Sequence, residues 1–173
     1  MIQLLILSDT HGKDALLRSL LEANRNVDAI LFLGDGLNGL EALLEDGGYP
    51  PAFCVRGNCD SETSFLGRSR DEELLLTLGG RRLLLLHGHT VGAKGSRSGL
   101  LSRAAARGAD AVLFGHTHVP MEAYLGEEEG GPLWLFNPGS LGKPYDGYPS
   151  YGRLIIGRGG DLLFSHGVWE EHA

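Results

Sequence analysis

Short apolar runs that end at a glycine or a polar residue recur along this chain and give its main secondary-structure signal. Residues 1–7, 29–33 and 53–56 form such runs, and their length and composition predict buried strands. Residues 14–25 and 37–45 lie between these runs and place leucines on one face, which predicts amphipathic helices. Strands that alternate with helices are typical of a parallel sheet with right-handed crossovers. The first part of the chain is therefore predicted to be α/β.

The pattern changes after residue 64, where polar turns separate shorter apolar runs. The predicted elements are hairpin strands at 74–78 and 82–86, a helix at 100–107, a strand at 110–114, and two further hairpins, 121–125 with 133–136 and 153–156 with 162–168. A parallel half is thus followed by a largely antiparallel half. Two sheets packed face to face with helices outside would bury both halves within one domain spanning residues 1–173.

Histidine, aspartate and asparagine residues follow the ends of these predicted strands. They are Asp9, His11, Asp35, Asn58, His87, His89, His116 and His118. The carboxyl ends of strands in an α/β fold meet at one edge, so these side chains are expected to lie close together. The i, i+2 spacing of His116 and His118 in extended backbone predicts that both rings project to the same side.

The number and type of these residues predict a metal centre. Neutral imidazole is the commonest protein ligand for metals, and one ion is satisfied by about four ligands. Seven or eight nitrogen and oxygen donors therefore predict two divalent ions of the Mn, Fe, Zn or Co type. Two dications facing two carboxylates leave a positive site, and ions roughly 3.5–4 Å apart can hold both the attacking and leaving oxygens of a phosphoryl group.

Charge and composition restrict the partners and the location of the protein. The formal charge is −7, from 22 acidic and 15 basic residues, and no cluster of Lys and Arg indicates binding to long nucleic acid. No apolar run approaches the ~20 residues of a membrane span. In fully extended backbone Cys54 and Cys59 would lie roughly 16 Å apart, beyond the ~7 Å limit for a disulfide, so that only a tight turn could join them. Free thiols and no signal peptide at the start predict the cytoplasm.

The order of the motifs gives a specific resemblance. The chain is similar to the calcineurin-like metallophosphoesterase superfamily in five motifs: Asp9-x-His11, Gly34-Asp35, Gly57-Asn58, His87-Gly-His89 and Gly115-His116-Thr-His118. Its short length, together with Gly57-Asn-Cys-Asp60 and Asn137-Pro-Gly-Ser140, resembles the small YfcE-like phosphodiesterases within that superfamily.

The resemblance implies a fold, a metal set and an activity. The fold would be a four-layer α/β/β/α sandwich of two mixed sheets flanked by helices. Two divalent ions, Mn foremost and Fe, Zn, Ni or Co as alternatives, would bind between the motifs. Their ligands would be Asp9, His11 and His118 for one ion, Asn58, His87 and His116 for the other, and Asp35 as the bridge. A metal-bridging hydroxide would attack a small phosphodiester, and His89 would contact the phosphate or the leaving group.

Several alternatives stay open. Many superfamily members place a histidine after the Gly-Asn motif to protonate the leaving group, but this chain has Cys59, and a thiol with a pKa near 8.5 is a poor general acid. A phosphomonoesterase or a nucleotide-polyphosphate hydrolase could use the same site. A non-catalytic scaffold similar to the retromer metallophosphoesterase-like subunit is a different class, against which the retained His11 argues. A homo-oligomer is possible, and His166 and His172 are expected to be structural or exposed.

Simpler roles also compete for individual residues. Asp9 could cap the helix that follows it, since aspartate is a common N-cap. Asp35 and Asn58 could each be turn residues, and His116 and His118 could be hydrogen-bonded residues at a strand end. Asn137-Pro-Gly-Ser140 could be a turn with or without a role in supporting the site.

Overall fold

The predicted apolar runs form strands and the leucine-rich segments form helices in the computed structural model, which describes residues 1–64, 67 and 69–170. The strands are β1 (Ile2–Leu7), β2 (Ala29–Phe32), β3 (Ala52–Cys54), β4 (Glu73–Leu78), β5 (Arg81–Leu86), β6 (Ala111–Phe114), β7 (Pro120–Leu125), β8 (Leu133–Pro138), β9 (Ser150–Ile156) and β10 (Leu162–Val168). The helices are α1 (Asp14–Ala23), α2 (Leu37–Glu45) and α3 (Ser98–Arg107). His172 lies outside the described residues.

The strands form two five-stranded sheets of mixed direction. The first has the order β10-β9-β1-β2-β3, and the second has the order β4-β5-β6-β8-β7. β1, β2 and β3 are parallel, as predicted, but the last hairpin adds β9 and β10 to their sheet antiparallel to β1. The second half is largely antiparallel, as predicted, because β4 pairs with β5, β7 with β8 and β9 with β10 in that sense. Within it β5, β6 and β8 are parallel to one another, and α3 supplies the crossover between β5 and β6.

Successive side chains of the central strands point to opposite faces of their sheet, and together they form three apolar layers. In β1, Leu4 and Ile6 face the core between the two sheets, whereas Leu5 and Leu7 face α1 and α2. In β5 the odd-numbered leucines enter the core between the sheets, and the even-numbered ones pack under α3. Burial of each such side chain contributes about 1.5–3 kcal/mol, and this free energy stabilises the packing on both faces of each sheet. The result is the four-layer α/β/β/α sandwich implied by the motifs, and that prediction is confirmed.

Packing the sheets face to face brings together the loops that follow β1, β2, β5 and β6. Backbone hydrogen bonds tie these loops to one another: Asp9 N donates to Gly34 O at 2.9 Å, and Gly115 N donates to His87 O at 3.0 Å. Every predicted site residue lies in or directly after one of these strand ends or that of β3. No helix in the described part of the chain is long and apolar enough to cross a membrane.

Candidate metal centre

The loops of the candidate centre have an unusual backbone conformation. Asp9, His11, Asp35, His116 and His118 all have φ between 45° and 66°, in the left-handed region. Residues other than glycine adopt this region at a cost of about 1–3 kcal/mol each, and such strain concentrates at functional sites. The prediction that His116 and His118 project from extended backbone is therefore wrong. The tight left-handed turns instead point the two rings towards different neighbours.

Asp9, His11 and His118 bring their donor atoms to one point. His118 Nε2 lies 3.0 Å from Asp9 Oδ1, His11 Nε2 lies 3.6 Å from the same oxygen, and the two ring nitrogens are 3.3 Å apart. His118 Nδ1 donates to the carbonyl of Lys143 at 2.7 Å. Because a carbonyl can only accept, Nδ1 carries the proton and Nε2 is left as the nitrogen that can bind a metal.

Asp35 stands between this group and His87. Its Oδ2 lies 3.8 Å from His11 Nε2 and 3.5 Å from His87 Nε2. His87 is fully buried, and its Nδ1 donates to the carbonyl of Leu33 at 2.6 Å, so Nε2 is again the free nitrogen. Asp9, Asp35 and His87 form a second group whose donor atoms lie within 4.8 Å of one another.

His116 and His89 surround His87 on its other side. The ring centroids of His116 and His87 are 5.1 Å apart, and those of His89 and His87 are 5.4 Å apart. Burial first, and then the charges of His87 and Lys94, lower the pKa of His116 to about 4. Burial and His87 also lower the pKa of His89, so both rings are neutral and able to act as ligands or hydrogen-bond partners near pH 7.

Asn58 is a predicted ligand whose side chain contacts Cys59 in the structure. Its side chain is exposed, and Nδ2 donates to the thiol of Cys59 at 3.4 Å. The Cys59 thiol, by contrast, lies within 4.8 Å of donor atoms of His11 and Asp35. The sequence predicted no ligand at Cys59. Its position directly after Asn58 in the motif was the signal that could have placed its sulfur near the centre.

Carboxylate electrostatics in the centre depend on the histidines. Burial by itself would raise the pKa of Asp9, but contacts with His11 and His118 and the charge of His87 outweigh it, so the pKa is lowered. Burial likewise acts against ionisation of Asp35, but His87 and the backbone N–H of Cys59 lower its pKa to about 2. Both carboxylates are therefore ionised near neutral pH and offer two negative charges to a cation.

Two glycines allow the loops to approach this closely. A Cβ at Gly57 would lie 2.1 Å from Asp35 Oδ1, and a Cβ at Gly115 would lie 2.0 Å from Ser8 Oγ and 2.7 Å from Asp9 Oδ2. Neither position has room for a side chain without moving a carboxylate. The glycines that precede Asn58 and His116 in their motifs are thus required by close packing.

Residues outside the predicted set hold the loops in place. Ser140 Oγ donates to the carbonyl of Asp9 at 2.8 Å, and Asn137 Nδ2 donates to the carbonyl of Gly115 at 2.8 Å. The Asn137-Pro-Gly-Ser140 turn therefore supports the centre directly. Asp9 caps no helix, because α1 begins after Lys13 without a side-chain cap. Its Oδ2 instead accepts hydrogen bonds from Ser8 Oγ and His116 N.

Buried polar atoms without a partner show that this donor set fits a metal. Asp9 Oδ1 makes no hydrogen bond to any described residue, although His118 Nε2 lies 3.0 Å away, and the buried His87 Nε2 also lacks a hydrogen bond within the described part of the chain. An unmatched carboxylate oxygen and an unmatched imidazole nitrogen that face one another are costly unless a cation lies between them. Carboxylate and imidazole donors suit divalent ions such as Mn, Fe, Zn and Co.

Comparison with known proteins agrees with this geometry. The calcineurin-like phosphoesterase superfamily domain matches residues 2–158. The probable metallophosphoesterase YsnB of Bacillus subtilis (strain 168) is 36% identical over 145 residues, covering 83% of this chain and 77% of that protein. The phosphodiesterase YfcE of Escherichia coli (strain K12) is 34% identical over 176 residues, covering 89% of this chain and 88% of the relative.

A solved structure shares the fold at low identity. Vacuolar Protein Sorting 29 from Cryptosporidium parvum superposes with a TM-score of 0.73 at 17% identity, over 98% of each chain. At that identity the likeness shows the fold alone. The family match spans most of the chain and includes all five motifs, and the strand-end carboxylates and histidines converge as a metal centre requires. The chain belongs to the calcineurin-like phosphoesterase superfamily.

Proposed function

We propose that the protein is a phosphodiesterase with two divalent ions in this centre, Mn²⁺ foremost. The observation that carries the proposal is the position of Asp35. Its Oδ2 lies within 4 Å of both His11 Nε2 and His87 Nε2, which belong to separate donor groups. A single carboxylate between two groups of donors is the arrangement that a bridge between two ions requires.

The remaining donors divide naturally between the two ions. Asp9, His11 and His118 would hold one ion, and Asn58, His87 and His116 would hold the other. The contact of His116 with His87, rather than with His11, supports this division. The amide nitrogen of Asn58 contacts Cys59, so the side chain would need to rotate to bring its amide oxygen to the ion, and its exposure leaves it free to do so.

The chain's own residues would orient the substrate. When bound, two divalent ions polarise a phosphoryl group and lower the pKa of the attacking water. His89 stands at the rim beside His87 and His116, and its buried Nδ1 has no hydrogen-bond partner among the described residues. The residue as a whole is partly exposed, and its imidazole would contact the phosphate or the leaving oxygen.

The relatives favour a diester among the possible phosphoesters. YfcE is named a phosphodiesterase, and the identity with this chain extends over most of both proteins. A monoester or a nucleotide polyphosphate carries more negative charge and would use the same donors, so direct comparison of substrates decides between them.

A scaffold role is less well supported by the residues. The fold alone is compatible with it, because a vacuolar protein sorting protein has the same fold. The two buried carboxylates of this chain, however, face His11, His87 and His118. Retaining two ionised carboxylates in a strained and buried site has an energetic cost that metal binding offsets and that a scaffold would not need.

Metal analysis and a substrate panel test the proposal. We expect the purified protein, loaded with Mn²⁺, to bind two ions by elemental analysis and to hydrolyse bis(p-nitrophenyl) phosphate faster than p-nitrophenyl phosphate. Asp35→Asn should lower occupancy of both ions and abolish hydrolysis, because the bridging charge is lost to each. Asp46→Asn removes an exposed carboxylate that pairs with Arg18, and serves as the control. Unchanged occupancy in Asp35→Asn, or loss of one ion alone, would contradict the bridging role.

The physiological setting is part of the proposal. We infer that the substrate is a small phosphoester rather than long nucleic acid, which the charge of −7 supports. The free thiols of Cys54 and Cys59 support a reducing, cytoplasmic location. The preference for a small substrate is tested by the rates of hydrolysis of short diesters and of single-stranded oligonucleotides, compared at equal concentration of phosphodiester bonds.

A further inference from the structure

The lysines of this chain have a distribution that the metal centre does not explain. Lys13, Lys94 and Lys143 are the lysines in the sequence, and each borders the centre. Lys13 follows His11 by two residues, and the carbonyl of Lys143 accepts the hydrogen bond from His118. Lys94 follows Ala93, whose N–H donates to Gly88 O at 3.1 Å. Gly88 is the middle residue of the His87-Gly-His89 motif.

These lysines differ from most of the described arginines in having no ionic partner among the described residues. Within residues 1–64, 67 and 69–170, no carboxylate oxygen lies within 4 Å of a lysine nitrogen. The arginines that form ion pairs are Arg18, Arg25, Arg56, Arg70, Arg81, Arg103 and Arg107. In a chain of charge −7, unpaired lysines gathered around one site create a local positive potential that favours anions.

Lys13 also lines a cavity beside the centre. The cavity has a volume of about 610 Å³, within the range of small-molecule sites. Its walls are the loop after His11, the start of α1, and the segment from Leu141 to Pro149, closed by Trp169. The lining includes the apolar residues Leu141, Pro144 and Trp169 together with the cationic residue Lys13.

Backbone segments that line the cavity lie next to residues of the metal centre. Gly12 directly follows His11, and Gly142 N donates to the carbonyl of Asp9 at 2.9 Å. Asp14 supplies a carboxylate among the described wall residues, but its Oδ1 is packed against α2, where a Cβ at Gly39 would lie 2.1 Å from it. A subsite in this cavity requires that a molecule whose phosphoryl group lies at the metals extend past His11 towards the Lys13 side chain.

We propose that this cavity is a substrate subsite in which Lys13 binds a second anionic group, so that the substrate is an organic phosphodiester that carries an additional phosphate. The inference rests on the proposed function and specifies the substrate class of that site. The apolar wall receives the organic part of the molecule, and Lys94 and Lys143 add attraction for a substrate that carries the extra charge of a second phosphate. A diester with one negative charge leaves the Lys13 ammonium unmatched.

A matched pair of substrates tests the inference. Thymidine 5′-(p-nitrophenyl phosphate) and the same compound with a 3′-phosphate have the same scissile bond and leaving group, and differ in the second anion. With the Mn²⁺-loaded protein, we expect the 3′-phosphorylated compound to have a kcat/KM about tenfold higher, mainly through KM, as one charge-assisted hydrogen bond would give.

Charge-matched variants assign the effect to Lys13. Lys13→Gln should remove most of the difference between the two substrates, whereas Arg158→Gln makes the same change in net charge in the β9–β10 turn and should keep it. Calorimetry measures the affinities for thymidine 3′,5′-bisphosphate and thymidine 5′-monophosphate independently of catalytic rate. The unmodified protein should bind the bisphosphate more tightly, and Lys13→Gln should lose most of that difference in affinity.

Each outcome has one meaning. Equal kcat/KM for both substrates in the unmodified protein, or a preference that survives Lys13→Gln, overturns the subsite while leaving the phosphodiesterase proposal standing. Failure of the metal-loaded protein to hydrolyse either compound or bis(p-nitrophenyl) phosphate overturns the proposed function, and the subsite with it. A preference lost in Lys13→Gln and kept in Arg158→Gln supports the subsite.

Discussion

Asp60 accepts a hydrogen bond of 2.7 Å from the backbone nitrogen of Asp35, the residue that we propose bridges the two ions. The same oxygen accepts Gly57 N at 2.8 Å, and the other oxygen accepts Gly36 N and Leu37 N, both at 2.9 Å. One carboxylate thus holds the loop after β2 against the loop after β3. Asp60 fixes the direction of the Asp35 backbone and, through Gly57, the start of the Asn58 loop.

Replacing this carboxylate should weaken both the fold and the metal centre. In Asp60→Asn the amide keeps one acceptor and turns an NH₂ donor towards two backbone N–H groups. Each buried donor left unsatisfied costs about 1–3 kcal/mol, so we expect the free energy of unfolding in urea to fall by about 2–3 kcal/mol. The affinity for Mn²⁺, measured by calorimetry on the still-folded variant, should fall as well.

Asp46→Asn provides the matched control for this prediction, since Asp46 is exposed and paired with Arg18 at 3.3 Å. Exposed ion pairs contribute about 0–1 kcal/mol, so this variant should unfold near the unmodified protein and bind Mn²⁺ equally well. A normal Mn²⁺ affinity in Asp60→Asn would show that the Asp35 loop keeps its geometry without the Asp60 carboxylate.

The sequence predicted the strands, the helices and the layered fold because each depends on local periodicity. Leu4 to Leu7 alternate between two buried faces, and that run of apolar residues is visible without any structure. The role of Asp60 was not predictable in this way. Its four donors come from residues 57 and 35–37, which only the packing of parallel strands brings to one carboxylate.

Backbone conformation explains the largest error within the centre. The i, i+2 spacing of His116 and His118 identified both residues, but the assumption of extended backbone gave the wrong directions. Gly115 lies against Ser8 and Asp9, and the two histidines that follow it both have left-handed backbone. This contact joins the loop after β6 to the distant loop after β1, and a pattern of neighbouring residues does not reveal it.

The two histidines of this motif should serve different ions. His118 Nε2 lies 3.3 Å from His11 Nε2, whereas the His116 ring lies beside His87, 5.1 Å between centroids. We expect His118→Ala to lose the ion shared with His11 and His116→Ala to lose the ion shared with His87. Anomalous scattering from Mn²⁺-soaked crystals of each variant distinguishes the two positions. If both variants lost the same ion, the proposed division of ligands would be incorrect.

The two thiols should differ in reactivity and in their response to metal. Burial raises the pKa of Cys54 to about 12, so its reactive thiolate is scarce at pH 8 and increases as pH rises towards that value. Cys59 is exposed and should react first with a thiol reagent such as 5,5′-dithiobis(2-nitrobenzoic acid). Because its sulfur lies near donor atoms of His11 and Asp35, Mn²⁺ should slow that reaction.

Cys59→Ser separates the two signals in the labelling experiment. The variant should retain only the slow reaction of Cys54, and added Mn²⁺ should leave that rate unchanged, since Cys54 lies on β3 and packs with the helices α1 and α2. Labelling of Cys59 at the same rate with and without Mn²⁺, at saturating metal, would place the ions away from its sulfur.

The rate of hydrolysis should depend steeply on the leaving group. Cys59 stands after Asn58, where a histidine could protonate the departing oxygen, and partial burial and Asp35 raise the pKa of this thiol. General acid assistance contributes about 10²–10⁴-fold, so without it aryl phosphodiesters should react much faster than alkyl ones. A series of aryl esters of graded phenol pKa, measured as kcat/KM at fixed pH, gives the slope.

Substitutions at Cys59 and His89 identify the source of any proton. Cys59→His should flatten the slope, provided that the ring reaches the leaving oxygen without displacing Asn58, whereas Cys59→Ser should keep it, since a neutral hydroxyl is no better an acid. His89 is the other available group, because its ring lies 5.4 Å from that of His87 at the rim. A flat series in the unmodified protein that becomes steep in His89→Ala would assign the proton to His89. A flat series that stays flat in His89→Ala would exclude both residues, because neither then controls protonation of the leaving oxygen.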